Sequence, residues 1–163
     1  MWGPREGGAL MRLESLLESF TLKIQGFQKF NYWQRLEKLK MLSISRRFER
    51  YKIIYCHKIL YDMTDNCGLN WNYSDKTGYK FVTVKCRDRA VTRREQSFQY
   101  IGPRLYNTLP SYLRMSNEVS LDTWKNTLDK YLETIPDNPI TSKITSGLCN
   151  LTEPHRPTNS LLR

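Results

Sequence analysis

At 163 residues, 39% apolar and 26% charged, the chain has room for one modest core with loosely packed ends and excludes two full domains. The 26 Lys and Arg against 16 Asp and Glu give a net charge of +10, which favours phosphate-rich or anionic partners. No apolar run approaches the ~20 residues of a membrane span, and the N-terminal stretch MWGPREGGALMRLESLL lacks a basic start and an unbroken apolar core.

In chain order, Leu10, Leu13, Leu17, Phe20 and Ile24 recur at spacings of three and four and predict a helix with those residues inward, stopped near Gly26. In NYWQRLEKLKML, Asn31 followed by Gln34 is a capping-box pattern, and Tyr32, Leu36 and Leu39 form the apolar face of a second helix. The stretch SISRRFERYKIIYCHKIL predicts a third, capped by Ser43 or Ser45. Ile44, Phe48, Tyr51, Tyr55 and Ile59 fall within about 80° of one another on it, fit for a core, with Arg46, Arg50 and His57 on the opposite, outward side. On that basis Tyr51, Tyr55 and Trp124 are core side chains, and His57 is a surface or partly covered histidine.

From about residue 62, DMTDNCGLNWNYSDKTG is rich in Asp, Asn, Ser and Gly and reads as a loop. YKFVTVKC, 79–86, alternates apolar and polar residues and is the best strand candidate, within a short strand or hairpin element around 79–101. SFQYIGPRLYNTLPSYLR predicts an extended piece, a Gly-Pro break and one or two helical turns stopped by Pro110. Ser120 caps a last helix in which Leu121, Trp124, Leu128, Leu132 and Ile135 share a face. Residues 137–163 hold three of the seven prolines and predict a disordered tail. The expected architecture is mainly α: four to five helices, one small β element and the tail. It divides into 1–61, 62–136 and 137–163.

Catalytic and metal patterns are weak. Asp62 and Asp65 stand three apart in a polar loop, where a helix end and a turn are the ordinary roles. Cys56, Cys67, Cys86 and Cys149 are too dispersed for a zinc site or a disulfide framework, which points to reduced thiols. REGGAL lacks the lysine of a phosphate loop. No catalytic residue, metal or cofactor is assigned.

Charge is more informative. Residues 35–58 and 76–104 each carry eight Lys/Arg and two acids, so each is +6 and the remainder sums to −2. Phosphate contacts need cations along an exposed face, with aromatics to stack on unpaired bases. Two candidate patches follow: Arg46, Arg47 and Arg50 on the third helix, and Lys80, Lys85, Arg87, Arg89, Arg93 and Arg94 beside Tyr79 and Phe81. The plain counterpart is that these are solvated faces, or ion-pair partners of Glu37, Glu49 and Glu95.

Four phrases in order, NYWQRLEKLKMLSISRRFERYKIIYCHKIL, SFQYIGPRLYNTLPSYLR, TWKNTLDKYLETIPDNP and PTNSLLR, together with WGPREGGALMRLESLLESFTLKIQGF before them, span almost the whole chain. Together they resemble the C-terminal thumb and post-polymerase region of the reverse transcriptase of non-LTR, LINE-like or jockey-like retrotransposons. The resemblance implies a fragment of an RNA-directed DNA polymerase that lacks the palm aspartates, with magnesium belonging to that missing palm. It implies RNA, DNA or RNA-DNA hybrid as partner, gripped in part by Arg46, Arg47 and Arg50, and the polymerase domain itself if both are made as one polyprotein. The cysteine-histidine knuckle of some related elements is missing. An intracellular location, in nucleus or cytoplasm, and no membrane partner are expected. The alternatives are a protein-interaction scaffold whose basic patches meet acidic surfaces, and a degraded transposon copy.

Overall fold

The computed structural model describes residues 7–83, 97–116, 119–135 and 137. Among them the protein is mainly helical: α1 (Gly7–Leu22), α2 (Tyr32–Lys38), α3 (Ile44–Leu60), α4 (Phe98–Thr108), α5 (Ser111–Arg114) and α6 (Leu121–Glu133). A single antiparallel ladder joins β1 (Trp71–Asn72) to β2 (Lys80–Phe81), with Trp71 opposite Phe81. The described residues form two compact units, one running to Glu49 and including Ile135 and Asp137, the other Arg50–Thr134; the boundary lies within α3. The tail predicted for 137–163 lies outside the described residues except for Asp137.

In the first unit, α1 carries a buried polar pair where an apolar stripe was expected. Glu14 and Thr21 are buried, with Leu10, Leu17 and Ile24 half-buried along the same row, whereas Leu13 and Phe20 are exposed. Burial follows the hydrogen bonds. Glu14 Oε1 accepts from the Tyr32 hydroxyl at 2.5 Å and the Ile44 N–H at 3.2 Å, and Oε2 accepts from the Ser45 N–H at 3.2 Å. A carboxylate is thus held at the N-terminus of α3, where unpaired N–H groups and the helix dipole favour negative charge. Burial nevertheless dominates and raises the Glu14 pKa above its usual 4.5.

The turn before α3 is fixed by a second carboxylate. Asp137 Oδ2 accepts from the Ser43 N–H at 2.7 Å and Oδ1 from its hydroxyl at 2.8 Å, while Ser43 Oγ caps the Arg46 N–H at 3.0 Å. The Asn31–Gln34 capping box forms as the sequence predicts. Arg35 ties α2 to α1 and the turn between them, donating to Thr21 Oγ1 at 3.1 Å and to the carbonyls of Phe30 at 2.6 Å and Glu18 at 3.3 Å. Two helix ends use Schellman geometry with residues other than glycine. Lys40 (φ 51°) follows α2 and Asp62 (φ 52°) follows α3, and the next N–H groups, of Met41 and Met63, reach back to Leu36 and Lys58.

In the second unit, Ile53, Cys56, Ile59, Leu105, Tyr106, Leu109, Leu113, Trp124, Leu128 and Leu132 are buried. On α3, Arg46 and His57, expected on the outward side, are buried together with Glu49, while Ile53, Cys56 and Leu60 carry the apolar surface round the second half of the helix and Ile59 is buried as expected; Tyr55 is half-buried and Tyr51 is 59% exposed. α4 corrects the expectation of an extended piece and a break, because the helix continues through Gly102 and Pro103. The reason is packing. A Cβ on Gly102 would lie 2.9 Å from Cys56 Sγ and 2.5 Å from the Phe98 ring, so the glycine lets α3 and α4 approach closely.

The expected loop at 62–78 contains β1, and of the strand expected at 79–86 only Lys80–Phe81 is strand, the part from residue 84 lying outside the described residues. The Asn107 amide accepts from the Phe81 N–H and donates to its carbonyl, both at 2.8 Å, binding β2 to α4 as a neighbouring strand would. α6 has the predicted Ser120 cap and buries Trp124, Leu128 and Leu132, but ends at Glu133, before Ile135.

Glu14→Ala strips an acceptor from one hydroxyl and two N–H groups and is expected to cost about 2–4 kcal/mol of the first unit's stability, read from the urea midpoint. Gly102→Ala is expected to cost about 1–3 kcal/mol by overpacking, in spite of the gain in helix propensity, and combining it with Cys56→Ala should recover part of the loss.

Candidate nucleic-acid interface

Several arginines are taken up by contacts inside the fold. Arg46, placed by the sequence on an outward phosphate-binding face, is fully buried and holds Glu49 one turn along α3 at 2.9 Å. Its planar fork tolerates burial when the partner lies in its plane, which a lysine would not match. Arg47 is half-buried and donates Nε–H to the Leu42 carbonyl at 3.0 Å. Arg50 forms a two-pronged pair with Asp129 of α6, Nε–Oδ1 2.5 Å and Nη2–Oδ2 2.7 Å, and this hydrogen bonding raises its pKa. Arg114, buried, donates to the carbonyls of Asn107 and Leu109 and, at 2.7 Å, to that of Thr77 in the hairpin loop. The expected Arg46/Arg47/Arg50 patch is therefore a set of structural ties.

Of the second expected patch, Lys80 is exposed on β2, while Lys85, Arg87, Arg89, Arg93 and Arg94 lie outside the described residues. Phe81 is buried against Tyr106, ring centroids 5.2 Å apart, so it offers no stacking face. Tyr79 is half-buried and lies 4.8 Å from the ring of Tyr73, which is 54% exposed. Tyr73 is tied to Asp75, whose carboxylate raises the phenol pKa by hydrogen bonding. With Lys76 and Lys80 exposed, the hairpin presents aromatic area and two cations together. Sequence alone placed Tyr73 in a loop; its partnership with Tyr79 needs the β1–β2 pairing.

The first unit has the more one-sided surface. Among its described residues the exposed charged side chains are Arg12, Lys23, Lys29, Lys38 and Lys40 against Glu37 alone. Lys38 Nζ sits 4.4 Å from the centroid of the Phe30 ring, and Trp33 is 38% exposed. Glu14 and Glu49, which would offset these cations, are buried. Lys23 and Lys29 lie outside the two basic segments on which the sequence analysis concentrated, and only the inward folding of the acids makes them count.

His57 is buried and stacked on Trp124, ring centroids 3.6 Å apart and planes 15° apart, with Nδ1 3.4 Å from the Tyr106 hydroxyl. It is a core side chain, contrary to the sequence expectation, and desolvation lowers its pKa to about 4. Cys56 is buried, which raises its thiol pKa, and Cys67 is exposed; both are free. No group of three or more His, Cys, Asp or Glu that could hold a metal ion occurs among the described residues, and no helix there is long and apolar enough to cross a membrane. The chain matches no family model, no curated protein and no solved structure.

Because the folded pKa of His57 is depressed below its ordinary 6.5, the unfolded chain takes up a proton that the folded one refuses as pH falls. Stability is expected to drop between about pH 6.5 and 4, by about 3 kcal/mol at most, and to level off below. Denaturant titrations across that range should show the wild-type slope exceeding that of His57→Phe, which keeps an aromatic ring on Trp124 but has no proton to take up.

Proposed function

We propose that the protein is a nucleic-acid-binding module from the C-terminal region of a retrotransposon reverse transcriptase, working on phosphate backbone and unpaired bases without catalytic carboxylates of its own. The observation that carries this reading is the asymmetry of the first unit's surface: its buried acids serve helix termini and an internal ion pair, while its lysines stay in solvent. Lysine as a mobile point charge is suited to tracking a backbone, and released counterions supply the driving force. The hairpin adds Lys76, Lys80 and the exposed ring of Tyr73, a combination fit for unpaired bases. The ordered sequence resemblance supports the same partner class, and the arginines that it pointed to serve the fold instead.

Binding to a short RNA-DNA hybrid, followed by fluorescence anisotropy over a salt series, is expected to show a steep fall of log affinity with log salt. Replacing Lys29, Lys38 and Lys40 together by Gln should reduce that slope by about two to three and cost the fold no more than the roughly 0.5–1 kcal/mol of the exposed Lys38–Phe30 contact, read from the urea midpoint. Absence of binding at low salt, or a flat slope, sinks the proposal.

A further inference from the structure

α1 turns its polar pair inward and leaves apolar side chains outside. Leu13, Leu16 and Phe20, exposed by 40%, 68% and 60%, follow one another at spacings of three and four and form one stripe along the helix. At 1.5 Å per residue the stripe is about 10 Å long, two helical turns. Arg12 on α1 and Lys23, in the turn one residue past the end of the helix, are both exposed and flank the stripe near its two ends. The helix has two carboxylates of its own, and neither is exposed: Glu14 is buried at the start of α3 and Glu18 is half-buried. The outer surface of α1 is therefore apolar along one line, with a cation near either end and no exposed carboxylate.

We propose that this face is the docking site for an acidic amphipathic helix of a partner protein. Two apolar turns fit the anchors of a helix laid across α1, and the two flanking cations, with no exposed carboxylate between them, favour carboxylates beside those anchors on the incoming helix. Two copies of this chain would bring like-charged flanks together at a net charge of +10 each, which opposes self-docking. A membrane surface is the poorer fit. An interfacial helix keeps a strongly charged face in water opposite its apolar face, whereas the opposite face of α1 is buried around Glu14 and Thr21. Arg12 and Lys23 also belong to the first unit's cationic surface, so the apolar stripe, which nucleic-acid binding does not use, is what separates the two proposals.

The probe is a labelled synthetic peptide of about 18 residues, helical, with leucines on one face and glutamates beside them, titrated with the full chain; a matching peptide has lysine in place of glutamate. Saturable binding of the glutamate peptide alone is expected. The double variant Leu16→Ser/Phe20→Ser should weaken it about tenfold or more without moving the thermal midpoint, because both side chains are largely in solvent. Arg12→Glu/Lys23→Glu should reverse the preference between the two peptides. The proposal is overturned by equal binding of both peptides, by no saturable binding of either, or by wild-type affinity in the Leu16/Phe20 variant. It is likewise overturned if sedimentation shows a dimer that this variant dissolves, or if the stripe binds phosphatidylserine vesicles and neither peptide.

Discussion

The carboxylate of Glu14 at the first turn of α3 is the contact on which the first unit depends. One side chain from α1 satisfies the hydroxyl of Tyr32 on α2 and two N–H groups of α3, so three helices converge on two oxygen atoms. Once Glu14 is inside, the rotation of α1 is set: Thr21 comes in two turns later to meet Arg35, and Leu13, Leu16 and Phe20 are turned out. The rotation is costly in desolvation, which is why the Glu14 pKa rises, and it persists because both carboxylate oxygens accept hydrogen bonds. Asp137 secures the preceding turn through Ser43, so the entry to α3 is held from both directions in sequence.

The same economy explains the arginines. Arg35 and Arg114 spend their donors on carbonyl groups at turns and helix ends, where the backbone has acceptors and no donors of its own. Arg46 and Arg50 hold carboxylates within or between helices. Lys23, Lys29, Lys38, Lys40, Lys76 and Lys80 remain in solvent. A compact, strongly hydrated ammonium resists burial, and a weakly hydrated planar fork accepts it when its donors are matched. Of the three arginines on α3, Arg46 is buried, while Arg47 and Arg50 are half-buried and make contacts within the fold.

Local signals in the sequence were reliable. The Asn31 box, the Ser43 and Ser120 caps, and the face of α6 through Trp124, Leu128 and Leu132 all involve residues a few positions apart. The inward faces of α1 and of the first half of α3 were not legible, because each has two candidate stripes and the choice rests on remote partners. Glu14 is chosen by Tyr32 and Ser45, and His57 by Trp124 and Tyr106. Periodicity identifies residues that share a face, and a buried polar contact decides which face is covered. Gly102 and Pro103 misled in another way: a pair that ordinarily marks a break here allows a close helix crossing, visible only once Cys56 is beside it. The candidate site was legible as a charge excess and as Lys80, but not as the Tyr73–Tyr79 pair, which requires strand register.

Asn107 has a consequence for how the chain behaves among its neighbours. Phe81 points its N–H and carbonyl away from β1, and in a ladder two residues long such a rim is a template on which a foreign strand can grow. The amide of Asn107 occupies both groups from the side of a helix, so the rim is sealed by a side chain that cannot itself be extended. Aspartate, nearly the same shape, would offer no donor and would set a charge beside the Phe81 carbonyl. A one-atom change at residue 107 would therefore keep the Phe81 N–H held and leave the Phe81 carbonyl without its donor.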